Sequence, residues 1–211
     1  MDAPRLNLLD EALIRIRDPG GELQRLSLPE LFVALGHDAV RDYPALRPHQ
    51  RHPWHALLVH LAALALHQAG ETEPWLDVAD WHAALLALTP EHPDGCAWCL
   101  VAPHDRPAFL QAPVPDRNLD DWDDVPTPDA VDMLITSKNH DLKRARMQAN
   151  DADDWLLALT SLQTQEGYLG SGNLGISRMN RGSGSRPGLG IAPASGVGMR
   201  WRRDVVALLQ A

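Results

Sequence analysis

The residues of this chain best suited to chemistry are glycines and arginines gathered between positions 165 and 190. This segment, QEGYLGSGNLGISRMNRGSGSRPGLG, contains eight of the fifteen glycines and three arginines. Glycine lets a backbone approach a ligand closely, and successive backbone N–H groups bind anions. The composition therefore predicts a loop that becomes ordered against phosphates or a nucleic-acid groove.

Basic residues form three clusters in the second half of the chain, and arginine is suited to phosphates because its guanidinium is a planar fork of donors. Asparagine amides can bind base edges because they both donate and accept hydrogen bonds. The alternative is a solvated basic loop with ordinary turn glycines. The three clusters are Lys138, Lys143, Arg144 and Arg146; Arg178, Arg181 and Arg186; and Arg200, Arg202 and Arg203; the asparagines among them are Asn139, Asn173 and Asn180.

Charge is distributed unevenly along the chain, whose formal net charge is −9. Residues 1–137 carry nine basic and 22 acidic side chains, a net of −13, whereas residues 138–211 carry ten and six, a net of +4. An acidic protein binds nucleic acid poorly by charge alone, but a basic half is compatible with a local polyanion site. Chance alone can also produce such an imbalance.

Sequence motifs of other functional classes are weak here. Gly170 to Gly175 fits G-x-G-x-x-G, but a helix is predicted before it and no acidic residue occurs between Glu166 and Asp204, so a dinucleotide site is disfavoured. Cys96 and Cys99 have the spacing of half a zinc site, which two histidines could complete, yet buried structural thiols are favoured. The histidines involved are His92 and His104, and a further group, His49, His52 and His55, is interpreted as core or surface.

No nucleophile, base and oxyanion set is recognisable in the sequence. H-E-x-x-H, G-x-S-x-G and the Walker loop are all absent. We therefore expect a protein that is not an enzyme and that needs no cofactor or metal.

The elements that must position these residues indicate an α+β fold in a single domain, residues 1–211. Alternating residues around the turn Asp18-Pro19-Gly20-Gly21 predict an N-terminal β-hairpin. Ser27 and Glu30 form a capping box that predicts a short helix ending at Gly36. Further predicted helices are Pro53–Ala69, Trp75–Leu88, Trp155–Thr164 and Gly198–Ala211, with short strands at Ala97–Ala102 and Ala108–Leu110.

The helix Pro53–Ala69 is the most apolar predicted element. Its predicted core stripe consists of Leu57, Leu58, Leu61, Leu64 and Ala65. No stretch of about 18 apolar residues occurs, so no membrane span is predicted. The N-terminus lacks a signal-peptide core, and two cysteines are few, so we expect a cytoplasmic location.

The order of several motifs resembles the N-terminal region of the CasA family, the large subunit of type I-E CRISPR Cascade complexes. Each motif is weak singly, but their shared order spans nearly all 211 residues. The motifs are Asn7-Leu8-Leu9-Asp10 followed by Leu13 to Arg17 and a Gly-Gly turn, Leu26 to Leu31, the apolar helix at 56–66, Pro107 to Gln111, and Gln165 to Gly182.

This resemblance implies a non-catalytic antiviral recognition subunit that lies beside the 5′ handle of a guide RNA and inspects the protospacer-adjacent motif of duplex DNA. The family's glycine loop touches that motif, and a second loop contacts the RNA handle and a neighbouring subunit. The matching glycine-loop positions are Gly167, Tyr168, Gly170, Ser171, Gly172 and Asn173. The matching RNA-loop positions are Thr136, Ser137, Lys138, Asn139 and His140, without the family's usual aromatic residue.

The full set of expected contacts combines these positions with the basic clusters. Lys143, Arg144 and Arg146 extend the RNA-binding set, and Arg178, Asn180, Arg181 and Arg186 extend the DNA-binding set. The expected partners are guide RNA, double-stranded target DNA, other Cascade subunits and a nuclease or helicase–nuclease. The alternative is a free-standing interaction domain that binds an anion or nucleic acid without guide RNA.

Family members are usually more than twice as long and end in a helical bundle. They also carry a downstream lysine and a glutamine-bearing hairpin that help to open the duplex. None of these parts fits within 211 residues, so we expect either an N-terminal fragment of such a subunit or a naturally short version of it. We therefore expect this chain to recognise DNA and to leave opening and cutting to its partners.

Overall fold

Helices and small antiparallel sheets together give this chain an α+β fold, as the sequence predicts. The computed structural model describes residues 4–74, 77–114, 124–131, 150–164 and 195–211. In these ranges the helices are α1 Leu28–Gly36, α2 Arg51–Ala69, α3 Val78–Ala87, α4 Pro128–Val131, α5 Ala152–Thr164 and α6 Val197–Leu209, with 3-10 turns at Pro48–Gln50 and Cys96–Trp98. No helix in this described part combines the length and the apolar character that a membrane crossing requires.

Four short strands in the described ranges form two separate antiparallel pairs. β2 (Ile14–Arg17) and β3 (Leu23–Leu26) form the predicted hairpin, with Ile14 opposite Leu26. β1 (Arg5–Asn7) pairs with β4 (Cys99–Val101), which lies more than ninety residues away in the sequence. The hairpin prediction is confirmed, and β4 lies within the predicted strand Ala97–Ala102. Its partner β1 was not predicted, because a three-residue strand carries almost no periodic signal.

The capping box at the start of α1 is present. The Ser27 hydroxyl accepts from the Glu30 backbone N–H, and the Glu30 carboxylate accepts from the Ser27 N–H at 2.7 Å. At its other end α1 includes Gly36, as predicted. Gly70 ends α2 in the left-handed region at φ +76°, where a glycine costs no steric strain.

Three details of the predicted helices are wrong. Leu64 was assigned to the core stripe of α2, but it is 55% exposed, whereas its neighbours Ala63, Ala65 and Leu66 are buried. Helix α3 begins at Val78, where Asp77 caps it, so the predicted start at Trp75 is too early. Helix α5 begins at Ala152, three residues before the predicted start, so that Asp153 and Asp154 lie within its first turn.

The predicted strand Ala108–Leu110 is also wrong. Ala108 forms an isolated bridge with Gln111, and Leu110 between them has a positive φ of 56°. This geometry belongs to a tight turn, in which the Ala108 N–H donates to the Gln111 carbonyl at 3.1 Å and the Gln111 N–H donates to the Ala108 carbonyl at 2.9 Å.

Three aromatic side chains form the centre of the core. The Phe32 ring lies 4.7 Å from the Trp81 ring and 5.5 Å from the Trp201 ring, measured between centroids. These residues belong to α1, α3 and α6, and all three side chains are fully buried. Helix α2 packs against α3, α5 and α6, so both of the last two helices are held on the same support.

Candidate nucleic-acid interface

The predicted contact residues lie outside the described residues. The RNA-binding set falls within positions 136–146 and the DNA-binding set within positions 167–186. The structure does describe the elements that flank these two segments. These elements contain the last described residue before each segment and the first described residue after it.

The first segment leaves the scaffold after the short helix α4, which an ion pair holds in position. Arg47 pairs with Asp129 through a short contact between its terminal nitrogen and the carboxylate. Asp129 is buried, so its charge requires this partner. Arg47 precedes α2, and α4 is thereby fixed to the N-terminal end of that helix.

The same segment returns at the start of α5, where a second and larger ion-pair cluster lies. Arg15 of β2 binds Asp153 through two guanidinium nitrogens, at 2.7 Å for the terminal nitrogen, and its backbone N–H also donates to Asp153. Its other contacts are Asp151 and Asp154, both at 2.9 Å. Arg25 of β3 adds a bond of 3.0 Å to Asp151. The hairpin therefore holds the N-terminal end of α5.

Burial makes the loss of any one partner of this cluster costly, because a buried charge would be left without its counterpart. The Asp153 side chain is only 2% exposed, and the Arg15 side chain 20%. The hydrogen bond to Asp153 raises the pKa of Arg15, against an opposing effect of burial. Oxygens of the three aspartates lie within 4.8 Å of one another, a spacing compatible with a cation. Because Arg15 contacts all three carboxylates, it already supplies the positive charge.

The glycine-rich segment begins where α5 ends. Gln163, which is buried, donates through its side-chain amide to the Leu110 carbonyl at 2.8 Å. Thr164 donates to the Thr160 carbonyl at 2.6 Å. These bonds fix the last turn of α5 against the turn at residues 108–111.

The segment returns at the start of α6, which is packed tightly against the end of α1. The Asp38 carboxylate accepts from the Met199 backbone N–H at 3.1 Å and so caps α6 from another part of the chain. A Cβ at Gly198 would lie 2.4 Å from the Leu35 carbonyl oxygen and 2.8 Å from the Asp38 Cα. Only glycine allows this approach of two backbones.

Helix α5 connects the two segments directly. It has thirteen residues, which corresponds to a length of about 20 Å at 1.5 Å per residue. The first segment ends at its N-terminal end and the glycine-rich segment begins at its C-terminal end. The end of the first segment and the beginning of the glycine-rich segment are therefore about 20 Å apart, at the two ends of α5.

Beside the N-terminal end of α6 lies an open cleft of about 550 Å³. Three parts of the chain form it: the connection after α1, the first two turns of α2, and the first two turns of α6. Volumes of this size are typical of small-molecule sites. Its principal polar and aromatic lining side chains are Arg41, Tyr43, Arg51, Trp54, Arg200 and Arg203.

Two carboxylates in the cleft are already bound by neighbours. Asp204 accepts from His55 at 2.8 Å and from Arg203 at 2.7 Å, and Asp42 pairs with Arg17 at 3.2 Å. Burial raises the pKa of Asp204, but the bonds from His55 and Arg203 outweigh it and hold its pKa below the usual value.

Burial also sets the protonation of His55. It lowers the pKa of His55, with the hydrogen bond to Asp204 acting against it and the Arg200 charge acting with it. The net direction is downward, so the imidazole is neutral at pH 7 and donates one N–H to the ionised Asp204. The pair is therefore a hydrogen bond between a neutral ring and an anion.

The two cysteines are free and buried, as the sequence interpretation proposes. Burial raises the pKa of the Cys99 thiol to about 11. Such a thiol is almost entirely protonated at neutral pH and is a poor nucleophile. His92 and His104 form no metal-binding group with them among the described residues.

Sequence reasoning missed the cleft as a unit. The cluster Arg200, Arg202 and Arg203 was recognised, and the spacing of His52 and His55 was noted and interpreted as core or surface. What joins them is Asp204, which lies 149 residues from His55 in the sequence. A pattern among neighbouring residues cannot indicate a contact between residues so far apart in the sequence.

Comparisons with protein-family models, with curated proteins and with solved structures gave no match to this chain.

Proposed function

We propose that this chain is a non-catalytic subunit of an RNA-guided, type I-E-like CRISPR effector complex that recognises the protospacer-adjacent motif in duplex DNA. In this role it serves antiviral defence and contacts the 5′ handle of the guide RNA. The sequence resemblance to the CasA family suggests this role. The contacts that hold the described residues on either side of the two segments support it.

The observation that carries the proposal is that all four flanks of these two segments are held by specific contacts. Buried ion pairs hold the flanks of the first segment, through Asp129 and Asp153. Gln163 and Asp38 hold the flanks of the glycine-rich segment. A loop on a fixed base is what recognition requires, because a fixed base limits the ordering entropy lost on binding.

In this proposal the first segment binds RNA and the glycine-rich segment binds DNA. Lys138, Lys143, Arg144 and Arg146 bind the RNA backbone near α4 and the start of α5. The glycine-rich segment approaches the minor groove at the other end of α5, with Asn173 as a base-reading residue. Minor-groove reading is degenerate, so the recognised motif is expected to be short and permissive. Base pairing by the guide then reads the target itself.

The test is target binding by the assembled complex that carries Gly170→Asp and Gly172→Asp. Two carboxylates facing the DNA backbone should reduce binding of a motif-containing duplex at least 100-fold, whereas the complex still assembles. A mobility-shift assay measures the binding and size-exclusion chromatography the assembly. Unchanged duplex binding would remove the glycine-rich segment from the mechanism.

Arg178→Ala is the matched control for sequence reading. An arginine that only neutralises phosphate should lose affinity equally for duplexes with and without the motif, and its loss should reduce the salt slope by about 0.9. A loss confined to the motif-containing duplex would instead assign Arg178 to base recognition.

A further inference from the structure

Three hydrogen-bond donor groups in the cleft have no acceptor among the described residues. The side chains of Arg51 and Arg200 form no hydrogen bond or ion pair within the described ranges, and the Arg200 Nε is buried. The Tyr43 hydroxyl is also buried with no acceptor for its proton there, and the Trp54 indole N–H faces the oxygen of that hydroxyl. Unpaired donors that line one cleft favour an anionic ligand.

The protonation of Tyr43 strengthens this pattern. Burial raises the pKa of Tyr43, against smaller opposing effects of the Trp54 N–H and the Arg200 charge. The phenol is therefore protonated at neutral pH and available as a donor. Its ring meets the Trp54 ring edge to face at 5.9 Å, and this contact holds both side chains in place.

The backbone adds to the positive potential. Helices α2 and α6 both begin at the cleft, and neither has an acidic residue in its first turn. The N-terminal end of a helix carries a partial positive charge that attracts anions. The carboxylates that line the cleft, Asp42 and Asp204, are bonded to Arg17, Arg203 and His55 and form no ion pair with Arg51 or Arg200 among the described residues.

We propose that this cleft binds a phosphodiester group of a nucleic-acid strand, held by the guanidinium groups of Arg51 and Arg200. Tyr43 donates a further hydrogen bond to the same group. The proposal rests on the proposed function for the identity of the ligand as nucleic acid. The cleft lies beside Val197, two residues after the described chain resumes beyond the glycine-rich segment, and none of its lining residues is among the predicted contact residues.

The experiment compares the full chain with its double variant, Arg51→Ala with Arg200→Ala, in fluorescence anisotropy with labelled 20-nucleotide single strands of mixed sequence. One arm uses RNA and the other DNA, since both contain the phosphodiester. The double variant should bind at least one of the strands tenfold more weakly, and its salt slope should fall by about 1.4, or 0.7 for each arginine.

Two control variants make the result specific. Arg5→Ala removes an exposed arginine of β1 outside the cleft and should change affinity less than twofold. Arg51→Lys with Arg200→Lys keeps both charges but loses the planar forks, so its affinity should fall between those of the wild type and the alanine variant. Circular dichroism melting checks that every variant is folded.

An alanine double variant that binds both strands within twofold of wild type overturns the proposal. So does a wild-type chain that binds neither strand at 50 mM salt. The Gly170→Asp, Gly172→Asp variant separates this site from the proposed function, because it should lose motif binding in the complex yet keep strand binding through the cleft. If the chain proves to have no role in such a complex, while strand binding still depends on Arg51 and Arg200, the cleft remains a nucleic-acid-binding site.

Discussion

The arginine at the start of α5 and the arginines of the cleft differ in what surrounds them. Arg15 contacts three carboxylates, one of them almost completely buried. Arg51 and Arg200 contact no carboxylate in the described part of the chain, although Asp204 lines the same cleft. A guanidinium whose donors are used inside the protein stabilises the fold. One whose donors remain available in a cleft is suited to a ligand, and removing the two kinds should have opposite consequences.

The largest expected effect is a loss of stability when Arg15, the arginine that is bonded inside the protein, is replaced. Arg15→Met should lower the free energy of unfolding by about 3 kcal/mol, because it leaves the buried Asp153 without a partner. Arg17→Met on the same strand is the matched control. Its pair with Asp42 is 46% and 43% exposed, so the loss should be below about 1 kcal/mol. Urea denaturation of both variants measures the difference, and equal losses would contradict it.

The next effect concerns the backbone contact that places α6 beside the cleft. Gly198→Ala should lower the free energy of unfolding by about 2 kcal/mol, because the new Cβ meets backbone atoms of Leu35 and Asp38 that cannot move aside. Gly70→Ala tests the separate cost of backbone strain. Gly70 has a φ of +76°, but an added Cβ would have no atom within 4 Å. Crystallography of the Gly198 variant should show α6 displaced, and an unshifted helix of unchanged stability would contradict the role of this contact.

A smaller effect is expected from pH. His55 is neutral in the folded protein because burial lowers its pKa, whereas the unfolded chain takes up the proton near pH 6.5. The unfolded state therefore binds more protons at low pH, so stability is full above pH 6.5 and falls as the pH is lowered below it. His55→Gln should flatten this slope between pH 7.5 and 5.5 in urea titrations. An identical slope in the variant would show that His55 is not the group responsible.

The smallest effect is expected from the cleft arginines on stability. Arg200→Ala should change the free energy of unfolding by less than about 0.5 kcal/mol, because no described carboxylate loses a partner. Thermal melting beside the Arg15 variant gives the direct contrast. A loss above about 2 kcal/mol would place Arg200 with Arg15 as a structural residue and would break the comparison.

Local patterns predicted the local parts of this fold. The turn at Asp18 to Gly21, the Ser27 capping box and the ends of α1 and α2 are all confirmed. Each depends on residues within a few positions of one another, where propensity and capping chemistry act directly.

Contacts between distant residues were not predictable in the same way. Aspartates 151 to 154 were interpreted as favourable charges at a helix start, which is correct, but their partner Arg15 lies 138 residues away from Asp153. The cleft likewise draws its arginines from three separated segments. The residues predicted to contact DNA and RNA, from Thr136 to Arg186, remain predictions.

If this chain works beside a guide RNA, that RNA should co-purify with it. The tagged chain, expressed in its native host with its neighbouring genes intact, should purify with an RNA of discrete length and with other subunits of the complex. Sequencing of that RNA should show a constant 5′ handle followed by variable guide sequence. A chain that purifies alone and free of RNA would contradict the account.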